Sequence, residues 1–275
     1  MKIDSWVGNQ EVSRDVISST LVHRIATTFG ETSPQPGEAL PHLWHWAFFQ
    51  EPVVEAQLGN DGHPARGRFL PPIDGRNRMW AGGRVNFLEP LRVEAPAERR
   101  STITKLQEKH GTSGALLFVT VEHTYAQNGT LCIREEQDIV YREPSSPKLK
   151  STLPVPKTSW QDNVQPSPTM LFRYSAVTFN GHRIHYDHPY VTEHEGYPGL
   201  VVHGPMIATL LLHSFTRRHP DKIPRYFSYR GIRPLFANTG FHIGGVELTD
   251  QQFSLWAFND DGPAHQAEIQ YQEQR

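Results

Sequence analysis

The stretch VVHGPMIATLLLHSFTRRHP, residues 201–220, contains the start, the middle and the end of one helix. Pro205 suits the first helical position, and the basic residues before Pro220 suit the negative end of the helix dipole. The middle, Ile207–Leu212, is apolar on nearly all sides, which indicates a centrally buried helix. The sequence therefore predicts a central helix over Pro205–His219.

Short segments rich in β-branched and aromatic residues follow this helix, separated by Pro, Asn, Gly and Asp, which is the pattern of strands. The first half repeats the order of helix and then strands, so we expect an α+β fold with antiparallel sheet curled around a helix. The predicted strands of the second half are Met170–Thr178, Arg225–Arg233, Gly240–Leu248, Gln252–Phe258 and His265–Tyr271. The predicted elements of the first half are the helices Ser13–Phe29 and Leu40–Phe49 and the strands Arg84–Leu88, Ser101–Lys109, Ala115–Tyr125 and Leu131–Tyr141.

A proline-rich join separates the two halves. Residues 143–168 contain six of the chain's 22 prolines, with Ser and Lys between them. Neither a helix nor a central strand tolerates that density, so we expect an exposed, semi-extended linker. The predicted organisation is a first half at 1–142, the linker at 143–168 and a second half at 169–275.

Composition excludes several classes of protein. The 275 residues carry a formal net charge of −2, whereas nonspecific nucleic-acid binding needs a basic surface. No apolar run approaches the roughly 20 residues that span a bilayer, and the N-terminus lacks an apolar signal core. The single cysteine, Cys132, excludes an intramolecular disulfide. We therefore expect a cytoplasmic protein without nucleic-acid or membrane partners.

The densest polar stretch is NGHRIHYDHP, residues 180–189, in a predicted loop before the central helix. Histidine titrates near neutrality, which favours acid–base catalysis, with water oriented by Asn180 and a histidine tautomer fixed by Asp187. A loop that satisfies its own backbone and a partner-binding surface stay open as alternatives. A metal site also stays open, but no other cluster supplies matching ligands, so we expect no metal. The ligands of such a site would be His182, His185, Asp187 and His188.

The start of the central helix is a second candidate feature. First-turn N–H groups are free and the dipole end is positive, so a carbonyl oxygen placed there would be polarised. Gly204 has no side chain to block that approach, and His203 precedes it. An ordinary helix start, with His203 as a cap or packing residue, is the alternative.

An arginine-rich segment is the third candidate feature, with Trp80 among its arginines. Arginine binds phosphate well and tryptophan can stack on a nucleotide base, so this segment is a candidate for binding a nucleotide. A solvated surface is the alternative, and the glycines Gly82 and Gly83 do not have the spacing of a phosphate-cradling loop. The arginines are Arg66, Arg68, Arg76, Arg78 and Arg84.

Taken together, these motifs resemble the MaoC-like hydratase/dehydratase family, in particular its branch of itaconyl-CoA and mesaconyl-C4-CoA hydratases and a mitochondrial hydroxyacyl-thioester dehydratase. The resemblance covers most of the chain. It is carried by YSAVTFNGHRIHYD at 174–187, GLVVHGPM at 199–206, LWHWAFF at 43–49, GNDGHPARGRFLPP at 59–72 and RMWAGG at 78–83.

The resemblance implies a double hotdog, in which two antiparallel sheets are each wrapped around a long central helix. It also implies a thioester substrate, with catalysis in the second half and substrate binding in the first. Coenzyme A would be part of the substrate, so no separate cofactor and no metal are expected. One chain can complete a double hotdog, so a homodimer is allowed but not required.

The family loop reads Asp-x-Asn-x-x-His-x-Asp, and its first Asp and its His form the catalytic pair. Alignment on the histidine places His185 at the catalytic histidine and Asp187 at the last aspartate. Asn180 then replaces the first Asp, and His182 replaces the family Asn. An amide cannot act as a general base, so we expect His185 to carry more of the work or to share it with His182.

These residues lead to a hydratase that adds water reversibly to an enoyl-CoA thioester, most plausibly itaconyl-CoA or mesaconyl-C4-CoA to give citramalyl-CoA. A 3-hydroxyacyl-thioester dehydratase of fatty-acid metabolism and a non-catalytic acyl-CoA-binding module are the alternatives. The expected catalytic residues are His185, Asn180, His182, Asp187 and, by resemblance, the Gly204 N–H as oxyanion hole. The expected substrate- and CoA-binding residues are Arg183, for a second carboxylate, with His203, Met206, Arg78, Trp80 and Arg84.

Overall fold

The computed structural model describes residues 3–73, 75–111, 114–143 and 146–274. Over these residues one strand and one helix are followed by five strands, three helices and four strands. Short 3-10 turns lie at Ile3–Trp6, Trp44–Ala47, Glu55–Gln57 and Arg183–His185. The strands are β1 Gln10–Val16, β2 Asn77–Phe87, β3 Pro96–Gly111, β4 Gly114–Gln127, β5 Thr130–Arg142, β6 Trp160–Val164, β7 Lys222–Gly231, β8 Phe241–Thr249, β9 Gln252–Asn259 and β10 Gly262–Glu273. The helices are α1 Ser19–Phe29, α2 Pro168–Val177, α3 His188–Glu193 and α4 Gly204–Arg218.

All ten strands belong to one antiparallel sheet in the order β1-β3-β4-β5-β2-β7-β10-β9-β8-β6. Five strands come from the first half, β6 comes from the predicted linker, and four strands come from the second half. The pairing of β2 with β7 joins the two halves. The prediction of two separate sheets is not confirmed, because main-chain hydrogen bonds between β2 and β7 continue the ladder across the two halves. The antiparallel α+β character is confirmed.

The predicted central helix is confirmed as α4, which the sheet covers on one side. Met206, Ile207, Leu211 and Phe215 are fully buried in it. They belong to one apolar core that includes side chains from both halves, among them α1. The apolar stretch of α4 thus serves as the centre of the whole molecule.

In the first half the counterpart of α4 is shorter, and the predicted helix Ser13–Phe29 is wrong in its first part. Residues Gln10–Val16 pair with β3 as a strand. The helix starts only after Ser18, whose hydroxyl accepts a hydrogen bond from the Leu21 N–H. Gly30 ends the helix in a left-handed conformation, as predicted.

The predicted helix Leu40–Phe49 is wrong. Leu43 and Phe49 have positive φ angles of 69° and 62°, which α-helix does not allow. Between them lies only one 3-10 turn, Trp44–Ala47. Its aromatic side chains are anchored by separate partners: Trp44 Nε1 donates to His213, whereas Trp46 Nε1 donates to a carboxylate of the sheet.

That carboxylate is Glu135, which is fully buried in β5. It accepts hydrogen bonds from Trp46 Nε1 at 2.9 Å and Gln137 Nε2 at 2.7 Å, and its Oε2 lies 3.1 Å from His45 Nε2. Burial opposes ionisation of Glu135, yet His45, His123 and Gln137 lower its pKa to about 2. The buried charge therefore organises the 43–49 segment against the sheet.

The predicted strand Met170–Thr178 is wrong, because this segment forms helix α2. Ser167 caps it by accepting a hydrogen bond from the Met170 N–H at 3.1 Å, and Pro168 takes the first helical position. Its buried residues Leu171, Tyr174 and Ser175 lie three and four positions apart, which is helical spacing. The alternation of aromatic and small residues obscured that spacing.

Residues 146–159 of the predicted linker form neither helix nor strand, and residues 144 and 145 lie outside the described residues. The expectation of a linker without a strand is wrong for Trp160–Val164, which pairs with β8 at the edge of the sheet. This strand contains no proline, so its main chain can pair. The remaining predicted strands are confirmed, each extended or shifted by a few residues.

Candidate active site

Two loops, one from each half, meet at the candidate site: residues 59–63 and residues 180–185. Gly62 has a φ of +83°, and a Cβ atom there would lie 2.0 Å from the Gly181 carbonyl oxygen. A side chain at position 62 would therefore force the loops apart. The Arg183 N–H donates to the Asp61 carbonyl at 2.9 Å and ties the same loops together.

His185 lies at the end of the short turn that follows this contact. Its Nδ1 is 2.7 Å from the Val201 carbonyl oxygen. Because a carbonyl can only accept, Nδ1 carries the proton and Nε2 presents a lone pair. Burial lowers the pKa of His185 to about 4, so the imidazole is neutral at physiological pH. This is the protonation state that a general base requires.

His203 packs against the ring of His185. The two rings stack with centroids 3.6 Å apart, and His203 Nε2 lies 2.8 Å from Ser175 Oγ. His203 is fully buried. Its pKa lies well below the usual value, mainly because of burial and then because of the nearby His185. Its backbone forms the N-terminal boundary of α4, so the stack fixes His185 beside the helix start.

His182 belongs to the 180–185 loop, and its ring lies near the rings of His63 and His185. Its ring centroid is 4.2 Å from that of His63 and 5.4 Å from that of His185. Burial, His63 and His185 all lower the pKa of His182. Its N–H donates to Asn180 Oδ1 at 3.0 Å, so the Asn180 amide shapes the turn and keeps its NH2 group for another acceptor.

Asp61 and His63 form a pair that the sequence analysis did not assign to the site. Asp61 Oδ1 accepts from the His63 N–H at 3.0 Å, and Asp61 Oδ2 lies 3.2 Å from His63 Nδ1. Burial opposes ionisation of Asp61, but the hydrogen bonds and charge of His63 hold its pKa below the usual range. Burial lowers the pKa of His63. The spacing Asp61-Gly62-His63 was visible, but nothing in the sequence connected it with residue 182.

Asp187 and Arg183 bind each other. Asp187 Oδ2 accepts from Arg183 Nε at 2.9 Å and Nη2 at 2.7 Å. Asp187 Oδ1 accepts from the Tyr190 N–H and caps α3, and the Arg183 guanidinium lies 4.0 Å from the Tyr190 ring centroid. The structure therefore places both side chains in a supporting contact, and Asp187 does not orient the His185 ring.

Gly204 is the first residue of α4, where N–H groups have no acceptor inside the helix. A Cβ atom there would lie 2.8 Å from the Trp80 ring, so Trp80 covers the helix start. Trp80 also stacks on Tyr229 at 4.6 Å. Met206, two residues further on, is fully buried in the core and presents no surface to a ligand.

The two arginines of β2 that were expected to bind substrate have different environments. Arg84 is committed to Glu136 at 2.6 Å and Asp138 at 2.8 Å, so its charge is already compensated. Arg78 lies close enough to Asp61 and His182 to shift their pKa values. Arg78 is therefore a cation near the candidate site, and Arg66 also acts on His63.

Asp61, His63 and His182 have ligand atoms within 4.8 Å of one another, a spacing that a metal ion could use. This set differs from the ligands considered in the sequence, of which it shares His182 alone. The positive charge of Arg78 in the same cluster opposes a cation. That the site works without metal stays a prediction.

Comparison with known proteins identifies the family. Residues 43–237 match the family model of hydroxyacyl-thioester dehydratase type 2, so more than half of the chain is covered. The chain is 45% identical over 244 residues to mesaconyl-C(4)-CoA hydratase of Chloroflexus aurantiacus, and the match covers 87% of each chain. The chain belongs to this MaoC-like family of dehydratases and hydratases, and it is a hydro-lyase.

Solved structures support the fold. A MaoC-like dehydratase from Phytophthora capsici superposes with a TM-score of 0.72 at 12% identity, over 99% of this chain and 98% of that one. A Mycobacterium tuberculosis protein described as having a double hotdog fold superposes with a TM-score of 0.59 at 12% identity, over 96% of each chain. The chain therefore has hotdog-fold neighbours, although its ten strands form one sheet. Among the helices of the described residues, none is long and apolar enough to cross a membrane.

Proposed function

We propose that the protein is a hydratase that adds water to the enoyl thioester mesaconyl-C4-CoA or itaconyl-CoA and forms citramalyl-CoA. The observation that carries the proposal is the orientation of His185, a buried neutral imidazole with its Nε2 lone pair free beside a helix start. The 45% identity to a mesaconyl-C(4)-CoA hydratase supports the choice of substrate. Coenzyme A enters as part of the substrate, without a separate cofactor.

His185 Nε2 takes a proton from a water molecule that the Asn180 amide helps to orient. The water oxygen then bonds to the β-carbon while the thioester carbonyl becomes enolate-like. The free N–H groups at the start of α4, Gly204 first, stabilise that developing negative charge. The enolate finally accepts a proton at the α-carbon.

The second carboxylate of a C5 dicarboxylyl substrate needs a cation, and Arg78 fits this role better than Arg183. Arg183 already forms two hydrogen bonds with the Asp187 carboxylate. Arg78 lies among the ionisable side chains of the site. Burial lowers the pKa of Arg78, which nevertheless stays charged at neutral pH.

A 3-hydroxyacyl-thioester dehydratase of fatty-acid metabolism is the second candidate, because the matching family model is named hydroxyacyl-thioester dehydratase type 2. Its acyl chain would need an apolar tunnel. The apolar cavity between α1, α2 and the 43–49 segment measures about 10 Å³, which is room for roughly one water molecule. Trp44 and Trp46 line this cavity, whereas Phe48 and Phe49 are buried core residues outside its lining. This cavity therefore has no room for a long acyl chain.

The test is a mass-spectrometric assay with mesaconyl-C4-CoA, itaconyl-CoA and crotonyl-CoA in separate reactions. We expect a gain of one water with the C5 thioesters. Replacement of Arg78 by Gln should raise KM for the dicarboxylyl substrate at least tenfold, whereas Arg68→Gln, an exposed arginine of the same segment, should not. Addition to crotonyl-CoA alone would support the fatty-acyl alternative, and coenzyme A binding without any turnover would support the non-catalytic module.

A further inference from the structure

Water addition requires two proton transfers, one from the water and one to the α-carbon. Position 180 carries an amide, which cannot perform either transfer. We propose that the Asp61–His63 pair of the first half is the second proton-transfer group of the site. The proposal rests on the proposed hydratase activity. The active site then contains catalytic residues from both halves of the chain.

The first support is position. The His63 ring centroid is 4.2 Å from that of His182, which in turn is 5.4 Å from that of His185. The three imidazoles form a continuous row across the contact between the two loops. The Gly62–Gly181 contact leaves no room for a side chain between the loops, so the close approach of the two backbones keeps the three rings together. His63 is therefore held at a fixed distance from the proposed base.

The second support is chemical. A carboxylate that binds Nδ1 fixes the tautomer of an imidazole and stabilises its protonated form, leaving Nε2 for proton transfer. Asp61 holds His63 in this way through Oδ2, and it holds the backbone of His63 through Oδ1. His185 instead uses a carbonyl oxygen, which carries no full charge. The two histidines are thus arranged for different tasks: His185 as base and His63 as acid.

The proton balance closes within the row. His185 Nε2 accepts a proton as the water oxygen bonds to the β-carbon, and the π electrons move toward the thioester oxygen. His182, whose ring neighbours both other rings, relays this proton to Nε2 of neutral His63, and Asp61 stabilises the imidazolium that forms. His63 then gives the proton from Nε2 to the α-carbon as the carbonyl re-forms. All three imidazoles are neutral again at the end of the cycle.

The experiment uses the full chain and the C5 thioesters. Asp61→Asn and His63→Gln are compared with two matched controls at exposed positions, Asp260→Asn and His23→Gln. For each protein we would measure kcat, KM, the dissociation constant for the coenzyme A thioester, the thermal midpoint and the solvent deuterium isotope effect on kcat. The isotope effect separates a proton donor from a residue that only supports the loop.

We expect kcat to fall at least 100-fold in both site variants, with thioester binding and thermal midpoint unchanged. The solvent isotope effect should rise in His63→Gln, because protonation of the α-carbon becomes rate-limiting. Activity of both variants within threefold of the wild type would overturn the proposal, as would a loss that parallels a lower thermal midpoint. If either variant does not fold, the other decides. A wild-type protein that hydrates no enoyl thioester would overturn the hydratase proposal itself and this inference with it.

Discussion

His185 shows how burial can prepare a base. An exposed imidazole is mostly protonated below pH 6.5, whereas desolvation keeps this one neutral down to about pH 4. The hydrogen bond from Nδ1 to Val201 fixes the tautomer without adding a charge that would raise the pKa strongly. The side chain therefore stays available as an acceptor over a wide pH range.

We predict that the acid limb of kcat/KM falls near pH 4 and not near pH 6.5. A general base must be unprotonated, so the rate is lost only as the pH drops through its lowered pKa. Initial rates after rapid dilution from pH 7 would measure this limb before the protein unfolds. An acid limb centred at pH 6.5 would show that the base is an ordinary solvated group.

At the scale of elements, the start of α4 depends on the strand that covers it. Gly204 lets the Trp80 ring of β2 lie directly on the first helical turn. The helix belongs to the second half and the strand to the first, so this contact positions the proposed oxyanion hole. The Gly62–Gly181 contact plays the same part for the two loops.

We predict that Gly204→Ala lowers the free energy of unfolding by about 1–3 kcal/mol, because the new Cβ would overlap the Trp80 ring. The cost should become smaller in a Trp80→Leu background. Urea unfolding of both single variants and of the double variant measures this coupling. Gly199→Ala is the control, since a Cβ at that position meets no atom within 4 Å. An equal cost in both backgrounds would contradict the proposed contact.

At the scale of the whole molecule, several histidines outside the site are buried and neutral. Burial lowers the pKa of His123 and His265 to about 4 and that of His213 to about 3. In the unfolded chain these groups titrate near 6.5. Between pH 6.5 and pH 4 the unfolded chain therefore binds more protons than the folded chain. The free energy of unfolding consequently falls as the pH falls.

We predict that the free energy of unfolding declines from pH 6.5 toward pH 4, by up to about 1.4 kcal/mol per pH unit for each such histidine. Urea titrations at pH 7.5, 6.5, 5.5 and 4.5 measure the slope. His123→Gln should reduce this slope by the contribution of one titrating histidine, whereas His23→Gln, at an exposed position, should leave the slope unchanged. A stability that stays constant down to pH 4.5 would contradict the buried, neutral state of these residues.

The central helix and most strands follow from local patterns, because apolar periodicity and turn residues act over a few positions. The sequence does not predict helix α2, because alternating aromatic and small residues hide its helical spacing and its cap, Ser167, lies in the predicted linker. The single sheet depends on the pairing of β2 with β7, which joins segments that lie far apart in the chain. A second long-range contact, between residues 59–63 and residues 180–185, brings Asp61 and His63 to His182. His185, Asn180 and Gly204 could be selected from the sequence, but their second proton-transfer partner could not.

The most direct test of the account is the hydration rate of mesaconyl-C4-CoA by the wild type and by His185→Ala. Loss of a general base typically reduces a rate by about 10²–10⁴-fold. We predict a decrease in that range, with the thermal midpoint and thioester binding preserved. A folded His185→Ala protein that hydrates the thioester at nearly the wild-type rate would contradict the central claim that His185 activates the water.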